Sequence, residues 1–280
     1  MKTTRNLIVA ASLLAATSAF GAFGVSGLGL GVSGVNPAGG TATYSFAASK
    51  ATDNYLLVGI AGEDADVTAV TFGGVALSLT EARALPDPDS DEQRFTAIWG
   101  LDLSGVPAGP GTDIEVTTND LGSGEFVISA LEITGTSSAP FTLISGSSVT
   151  TPLGAANTAD IEPFGSLLPP GGIYFDVVAS GRDSAATPPV TADGEVRDDS
   201  VLTDIPIGDA VTGTSYIAGY AGGSAPGWAD VNGGASMSAV VVSPIPEPGV
   251  YLAGITAIGL GASLLLRRKR NSGETEALSA

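Results

Sequence analysis

The sequence predicts an all-β fold, an antiparallel β-sandwich, and three observations carry that prediction. First, its 280 residues include 39 glycines and 17 prolines, about a fifth of the chain. That proportion suits many short strands joined by turns and suits helices poorly. Second, short apolar or alternating runs recur at intervals of roughly 8–12 residues, bounded by Gly, Pro, Asn and Asp. Third, helical periodicity is absent between the two ends of the chain.

The runs can be placed in order. Phe23 to Gly40 is glycine-rich, with Gly24-Val25-Ser26-Gly27 echoed by Gly31-Val32-Ser33-Gly34, and reads as a flexible lead-in and first strand. Thr41 to Phe46 alternates as a half-buried strand does. Asn54 to Ala61 is continuously apolar, the mark of a central strand covered on both faces. Asp66 to Leu79 predicts a hairpin turning at Gly73-Gly74. Strands follow at Arg94 to Leu103, Asp113 to Thr118 and Glu125 to Ile133, the last two separated by the turn Asn119-Asp120-Leu121-Gly122-Ser123-Gly124. Ile173 to Ala179 and Met237 to Val242 are two more apolar strands. The runs NYLLVGIAGED, VTFGGVALSLT, RFTAIWGL and EFVISALEITG, with the later IYFDVVA and MSAVVV, resemble a concanavalin-A-like, jelly-roll sandwich of secreted bacterial proteins. That resemblance spans roughly Thr41 to Ser243 and implies a jelly-roll-like antiparallel β-sandwich. It is taken as one domain, residues 23–243, because such a sandwich needs both halves. The alternative is a division within Gly135 to Pro140, which has linker composition.

Composition limits the chemistry. With no cysteine there is neither a disulfide framework nor a thiolate metal site. With no histidine the usual Ser-His-Asp triad and most zinc sites are excluded. Between Phe20 and Ser243 there are 26 acids against five bases, Lys50, Arg83, Arg94, Arg182 and Arg197. A body so acidic is a poor partner for nucleic acid, which needs a basic surface.

The ends are the most explicit part of the sequence. Residues 1–22 form a secretory signal: Lys2 and Arg5 precede the apolar run Leu7 to Ala16, and small residues around Thr17-Ser18-Ala19 or Ala19-Phe20-Gly21 offer the cleavage site. The apolar run is shorter than the ~20 residues of a membrane span, which favours a cleaved signal over an anchor. At the other end, residues 244–270 begin with Pro244-Ile245-Pro246-Glu247-Pro248, where each proline fixes φ and removes a donor. Gly249 to Leu266 then runs eighteen residues without a charge. As a helix it would be about 27 Å long, enough to cross a bilayer core. Arg267, Arg268, Lys269 and Arg270 follow at once and resist translocation, so the body is expected outside and the tail inside. The last ten residues, 271–280, are expected to be a disordered cytoplasmic tail.

This order of Pro246-Glu247-Pro248, one apolar helix and an arginine-rich stop resembles the C-terminal tail of PEP-CTERM proteins. The resemblance covers about the last 30 residues, and the ten residues after the basic cluster are longer than usual for the family. It implies an exported protein of a bacterium with two membranes, sorted by an exosortase, held in the membrane by its C-terminal helix until processed, and delivered to the cell surface or extracellular matrix near exopolysaccharide. The logic parallels a GPI signal, in which motif, span and stop are removed together.

Within the body no catalytic constellation stands out. Asp87, Asp89 and Asp91 alternate in the densest acidic run, and their carboxylates could converge on calcium, which takes six to eight oxygens. Glu92 stands where an EF-hand loop needs glycine and Ile98 where it needs the bidentate glutamate, so that motif fails and a solvated acidic turn is the plainer reading. No other cofactor is expected. Glu63 and Asp64 could suggest the paired carboxylates of a glycosidase, but adjacent strand residues face opposite sides. Asp198-Asp199 is a weaker pair of the same kind. Trp99, in an alternating strand, fits the core. Trp228, in the turn-like Ala225-Pro226-Gly227-Trp228-Ala229-Asp230, could stack on a sugar ring if exposed, or pack over a sheet edge. The leading expectation is a non-catalytic surface or matrix protein. A carbohydrate-binding module using Trp228 is the alternative, and a secreted glycosidase a third.

Overall fold

The computed structural model describes residues 23–33, 40–46, 54–63, 66–86, 93–106, 113–119, 125–136, 141–150, 158–161, 163–164, 171–181, 199–204, 210–220, 227–232 and 235–244. The signal segment, the Pro-Glu-Pro motif, the apolar segment 249–266 and the basic cluster lie outside them, as do Asp87, Asp89 and Asp91. Among the described residues no helix is long and apolar enough to cross a membrane.

The described chain is all-β, with antiparallel pairing throughout and a single 3-10 turn at Leu103–Gly105. The first half contributes nine strands: β1 (Gly24–Ser33), β2 (Thr41–Ser45), β3 (Asn54–Glu63), β4 (Asp66–Phe72), β5 (Val75–Ala76), β6 (Ser78–Pro86), β7 (Gln93–Asp102), β8 (Asp113–Asn119) and β9 (Glu125–Thr134). The second half contributes seven: β10 (Phe141–Thr150), β11 (Thr158–Ile161), β12 (Gly172–Gly181), β13 (Asp199–Asp204), β14 (Ala210–Tyr220), β15 (Trp228–Asn232) and β16 (Ala235–Pro244). Residues 22–244 form one compact unit.

The turn at Gly73-Gly74 forms as expected, with φ of 57° and 80°, values that favour glycine. The hairpin arm after it is shorter than expected. β5 keeps only two residues beside β4, Leu77 donates its N–H to the Val70 carbonyl, and the chain then crosses to another sheet as β6. Leu77 is buried in the core, so the apolar run VALSL spans a corner instead of a single strand.

Strand order divides the chain in a way the sequence reading did not anticipate. In the first half a five-stranded sheet runs β1-β9-β3-β7-β6 and a four-stranded sheet runs β2-β8-β4-β5. In the second half a five-stranded sheet runs β10-β16-β12-β14-β13 and a two-stranded sheet pairs β11 with β15. The two five-stranded sheets have the same order, with β10, β16, β12, β14 and β13 standing where β1, β9, β3, β7 and β6 stand. The small sheets correspond too, β11-β15 to β2-β8. The chain is therefore a structural repeat. Among the described residues no sheet mixes strands of the two halves.

Four layers result, with three cores between them. Alternation along a strand sends successive side chains to opposite faces. On β3, Leu56, Val58 and Ile60 meet Val70, Phe72, Ile114 and Val116 of the four-stranded sheet. Leu57 and Ala61, at odd positions of the same strand, face the other way and pack with Ile173, Phe175 and Val177 of β12 and Val240 and Val242 of β16. The far side of the second five-stranded sheet, with Tyr174, Val178, Met237 and Val241, packs with Trp228 of the two-stranded sheet. Both central strands are thus covered on both faces, which is why their sequences are nearly continuous apolar runs. The central packing is reciprocal: β12 lies against β3 and β7, while β3 lies against β12 and β14.

That central layer is tight at Gly59. A Cβ there would meet a methyl of Val177, the Ser129 hydroxyl at 2.7 Å and the Phe175 ring at 2.9 Å. Ser129 also donates to the Gly59 carbonyl at 3.2 Å, and across the same interface the Thr96 and Ser238 hydroxyls are 2.9 Å apart. Gly59→Val should lower stability by about 1–3 kcal/mol through overpacking, seen as a lower urea midpoint. Gly105→Ala, where a Cβ meets nothing within 4 Å, should leave the midpoint almost unmoved.

Candidate functional site

Each half contributes one tryptophan to a core. Trp99 lies in β7, over the core between the first half's sheets. Trp228 opens β15 and is fully buried beneath the two-stranded sheet. Its ring lies over Gly213 of β14, where a Cβ would be 2.6 Å from the six-membered ring. The sequence left two readings for Trp228, stacking on a sugar ring or packing over a sheet edge; in the structure the ring has no accessible surface and is packed, as in the second reading.

What holds Trp228 is a buried acid. Asp176 sits mid-way along β12 with no accessible surface. Its Oδ2 accepts from the Tyr174 hydroxyl at 2.8 Å and from the Trp228 indole N–H at 3.2 Å. Its Oδ1 accepts from the Ser215 hydroxyl at 2.5 Å. Thr214 donates to the Asp176 main-chain carbonyl at 3.0 Å. Tyr174 and Asp176 are two apart on one strand and so share a face. Ser215 is directly opposite Asp176 in the register of β12 and β14. Sheet geometry therefore delivers three donors to one carboxylate. Donors of this kind offset the desolvation of the carboxylate, which would otherwise be severe. Tyr174 in turn packs against Phe164 and Tyr220, with ring centroids 6.5 and 6.2 Å away.

The repeat shows what is particular about this cluster. In the first half Val58 of β3 pairs with Ala130 and Trp99. In the second, Asp176 of β12 pairs with Ala239 and Ser215. Val58 and Asp176 hold the same place in their sheets, as do Trp99 and Ser215. One half fills that place with hydrocarbon and an indole. The other fills it with a carboxylate and a hydroxyl.

Chemically the cluster resembles the parts of an acid–base site, but Tyr174, Asp176, Ser215 and Trp228 all have 0% exposure. A reacting atom must come within hydrogen-bond reach of such a group, and here packed side chains occupy that space. These bonds tie β12, β14 and β15 together within the second half's core.

A second buried carboxylate, Glu132 of β9, accepts from the Asn54 side chain at 2.5 Å. Burial raises the Tyr44 phenol pKa. Burial first, and the Asp102 carboxylate second, raise that of Tyr55, whose ring packs edge-on against Phe141 at 5.1 Å. Both hydroxyls therefore stay protonated through neutral pH. The outer face of the four-stranded sheet is polar: Ser45 donates to Asp113 at 2.5 Å and Thr71 to Glu115 at 3.3 Å, all near solvent.

Of the acids considered from sequence, Glu63 ends β3, opposite Arg94 and Glu125 in register, and Asp199 opens β13. Asp64 and Asp198 lie outside the described residues. Among the described residues no three acidic side chains cluster as a metal site would require.

Comparison with known proteins adds little. No family model matches the chain, and no curated protein does. A solved structure described as the STIV MCP is 11% identical over 79% of this chain and 98% of its own, with a TM-score of 0.25. An atomic structure of Sulfolobus Turreted Icosahedral Virus is 10% identical over 87% and 98%, with a TM-score of 0.23. Likenesses this distant carry no argument about this chain.

Proposed function

We propose that the chain is an exported, exosortase-sorted surface or extracellular-matrix protein with a non-catalytic body, associated with exopolysaccharide. The observation that carries the reading is the order of parts at the C-terminus: Pro246, Glu247 and Pro248, then eighteen uncharged residues, then Arg267 to Arg270. Each part has a separate physical task, namely a rigid motif for an enzyme, a span and a stop. The signal segment at the other end supplies the export that this order requires.

The body fits the same reading. Its strand order supports a jelly-roll description of each half. In a jelly roll the first, eighth, third and sixth strands share one sheet and the second, seventh, fourth and fifth share the other. The first half's β1-β9-β3-β7 and β2-β8-β4-β5 match that order, with β6 added at the edge. The second half follows it in reduced form. Such a body is a scaffold for display, and the absence of cysteine and histidine leaves it few catalytic means. The burial of Trp228 removes the residue on which the carbohydrate-binding alternative stood.

Intact-mass measurement of the protein from cells and from medium tests the proposal. The expected mature form lacks the first ~20 residues and ends near Glu247. Glu247→Ala, or neutralising Arg267 to Arg270, should leave an uncut form in the membrane fraction. An unchanged mass and location in those variants would refute the sorting reading.

A further inference from the structure

Both ends of the compact unit, residues 22–244, emerge at one pole of the stacked sheets. β1 starts there, with Gly24 opposite Thr134 and Thr134 opposite Asn54. β16 finishes there, with Pro244 opposite Phe141. Phe141 brings the two large sheets together at this pole: its ring lies edge-on to Tyr55 of β3 at 5.1 Å and to Phe23 at 6.2 Å. Phe23, Val25, Tyr55, Phe141 and Leu143 are only partly buried, at the margin of the central core. Apolar surface is thus left where the chain enters and leaves the sheets, and two observations say what it meets.

The first is reach. Five residue steps join Pro244 to Gly249, where the uncharged run begins. Fully extended they cover at most about 18 Å. If residues 249–266 cross a bilayer with the body outside, this pole cannot rise further than that from the start of the span. The second is charge. The connections that leave and return at this pole are residues 46–53, 73–74, 103–112, 135–140, 162–171 and 221–227. They hold two acids, Asp53 and Glu162, and one base, Lys50. At the opposite pole β3 ends with Glu63 opposite Arg94 and Glu125. The connections that leave and return there are residues 34–39, 64–65, 87–92, 120–124, 151–157, 205–209 and 233–234, and they hold seven acids and no base. Anionic lipid repels acidic surface. The tether holds down the pole that is close to neutral, and the repelling charge sits at the far one.

We propose that this pole is a lipid-docking surface: before processing, Phe23, Tyr55 and Phe141 rest in the headgroup region of the membrane that the C-terminal segment crosses. Aromatic rings are favoured at that interface, where one side is apolar and the other wet. The inference rests on the span in the sorting reading and adds to it an orientation of the body. The acidic pole points away from the membrane. The Pro246-Glu247-Pro248 motif is then held between a seated body and the span, at a depth that suits a membrane-embedded enzyme.

The chain has no cysteine, so a single introduced one can carry a fluorophore. Ser104→Cys lies at the docking pole and Ala84→Cys toward the other, both at exposed positions. Each unprocessed full-length variant is labelled and reconstituted, body outward, in vesicles of phosphatidylethanolamine and phosphatidylglycerol. Lipid with a nitroxide headgroup should quench the label at Ser104→Cys and leave that at Ala84→Cys bright. Thr142→Glu, exposed beside Phe141, brings an acid against anionic headgroups and should lower the ratio of docked to lifted bodies about fivefold. Its melting temperature should not change. Phe23→Ser should reduce the quenching as well, and if it melts early, Thr142→Glu decides. Protein that fails to float with the vesicles after an alkaline wash refutes the span, and both readings with it. Protein that floats while its two labels are quenched alike, or while Ser104→Cys stays bright, overturns the docking alone. So does quenching that Thr142→Glu leaves unchanged.

Discussion

Asp176→Ala should destabilise the protein by about 3–5 kcal/mol, because removing a buried acceptor strands the donors built around it. The Tyr174 and Ser215 hydroxyls and the Trp228 indole N–H all point at the Asp176 carboxylate, and none has accessible surface through which water could replace it. Each stranded donor costs roughly 1–3 kcal/mol, less whatever relaxation recovers. Urea unfolding followed by tryptophan fluorescence measures the loss. Asp176→Asn separates charge from shape. It keeps the volume and one acceptor oxygen but aims an N–H₂ group where a donor already points, so a loss close to that of alanine is expected. Had the cluster been a catalytic site, removing the acid would be expected to leave stability unchanged or raise it. A stability change under ~1 kcal/mol in Asp176→Ala would refute the structural role assigned here.

The repeat suggests why such a cluster survives in a core. Val58 and Trp99 show that this place in the sheet can be filled with apolar matter. Replacing a buried charge by well-packed hydrocarbon is often neutral or stabilising, so Asp176 is not needed for burial energy alone. Its fixed donors set the position of Trp228, and so the register of the two-stranded sheet against β12. That sheet has only two strands, and its own pairing shifts between Ala159 and Ile161. The four-stranded sheet opposite has more strands with which to define its place.

Strands covered by hydrocarbon on both faces were legible in the sequence. The runs Asn54 to Ala61, Glu125 to Ile133, Ile173 to Ala179 and Met237 to Val242 fall within β3, β9, β12 and β16, four of the six interior strands of the two large sheets. The strands that escaped notice have mixed faces. β14 buries Thr212, Thr214 and Ser215 as well as Ile217, so neither alternation nor a continuous apolar run shows. β10 is rich in Ser, Thr and Gly because it lies at an edge. β6 and β13 are edges too, and their charges made them look like loops. The repeat was hidden because β4 and β5 have no described counterpart and because equivalent places hold unlike residues, Val58 against Asp176 and Trp99 against Ser215. The acid cluster was hidden because Ser215 and Trp228 lie 39 and 52 residues along the chain from Asp176. The one local signal was Asp176 itself, a lone acid inside the apolar run IYFDVVA, which asks for buried donors.

Trp228→Ala should cost about 3–5 kcal/mol, as large aromatic truncations in a core do. It should have no effect on any binding of polysaccharide that the wild type shows. The ring fills the space between the two-stranded sheet and β14, where Gly213 leaves room that no other residue would. Truncation opens a cavity and also removes one donor from Asp176. Trp228→Phe separates these contributions: it retains most of the packing and loses the N–H, so about 1–2 kcal/mol is expected. The effects of Trp228→Phe and Asp176→Ala should not add, since the lost hydrogen bond is common to both, and a double-mutant cycle should return a coupling above ~0.5 kcal/mol. Glycan binding that disappears in Trp228→Phe while the melting temperature holds would mean that the indole meets ligand after all. The buried position described here could not stand against that result.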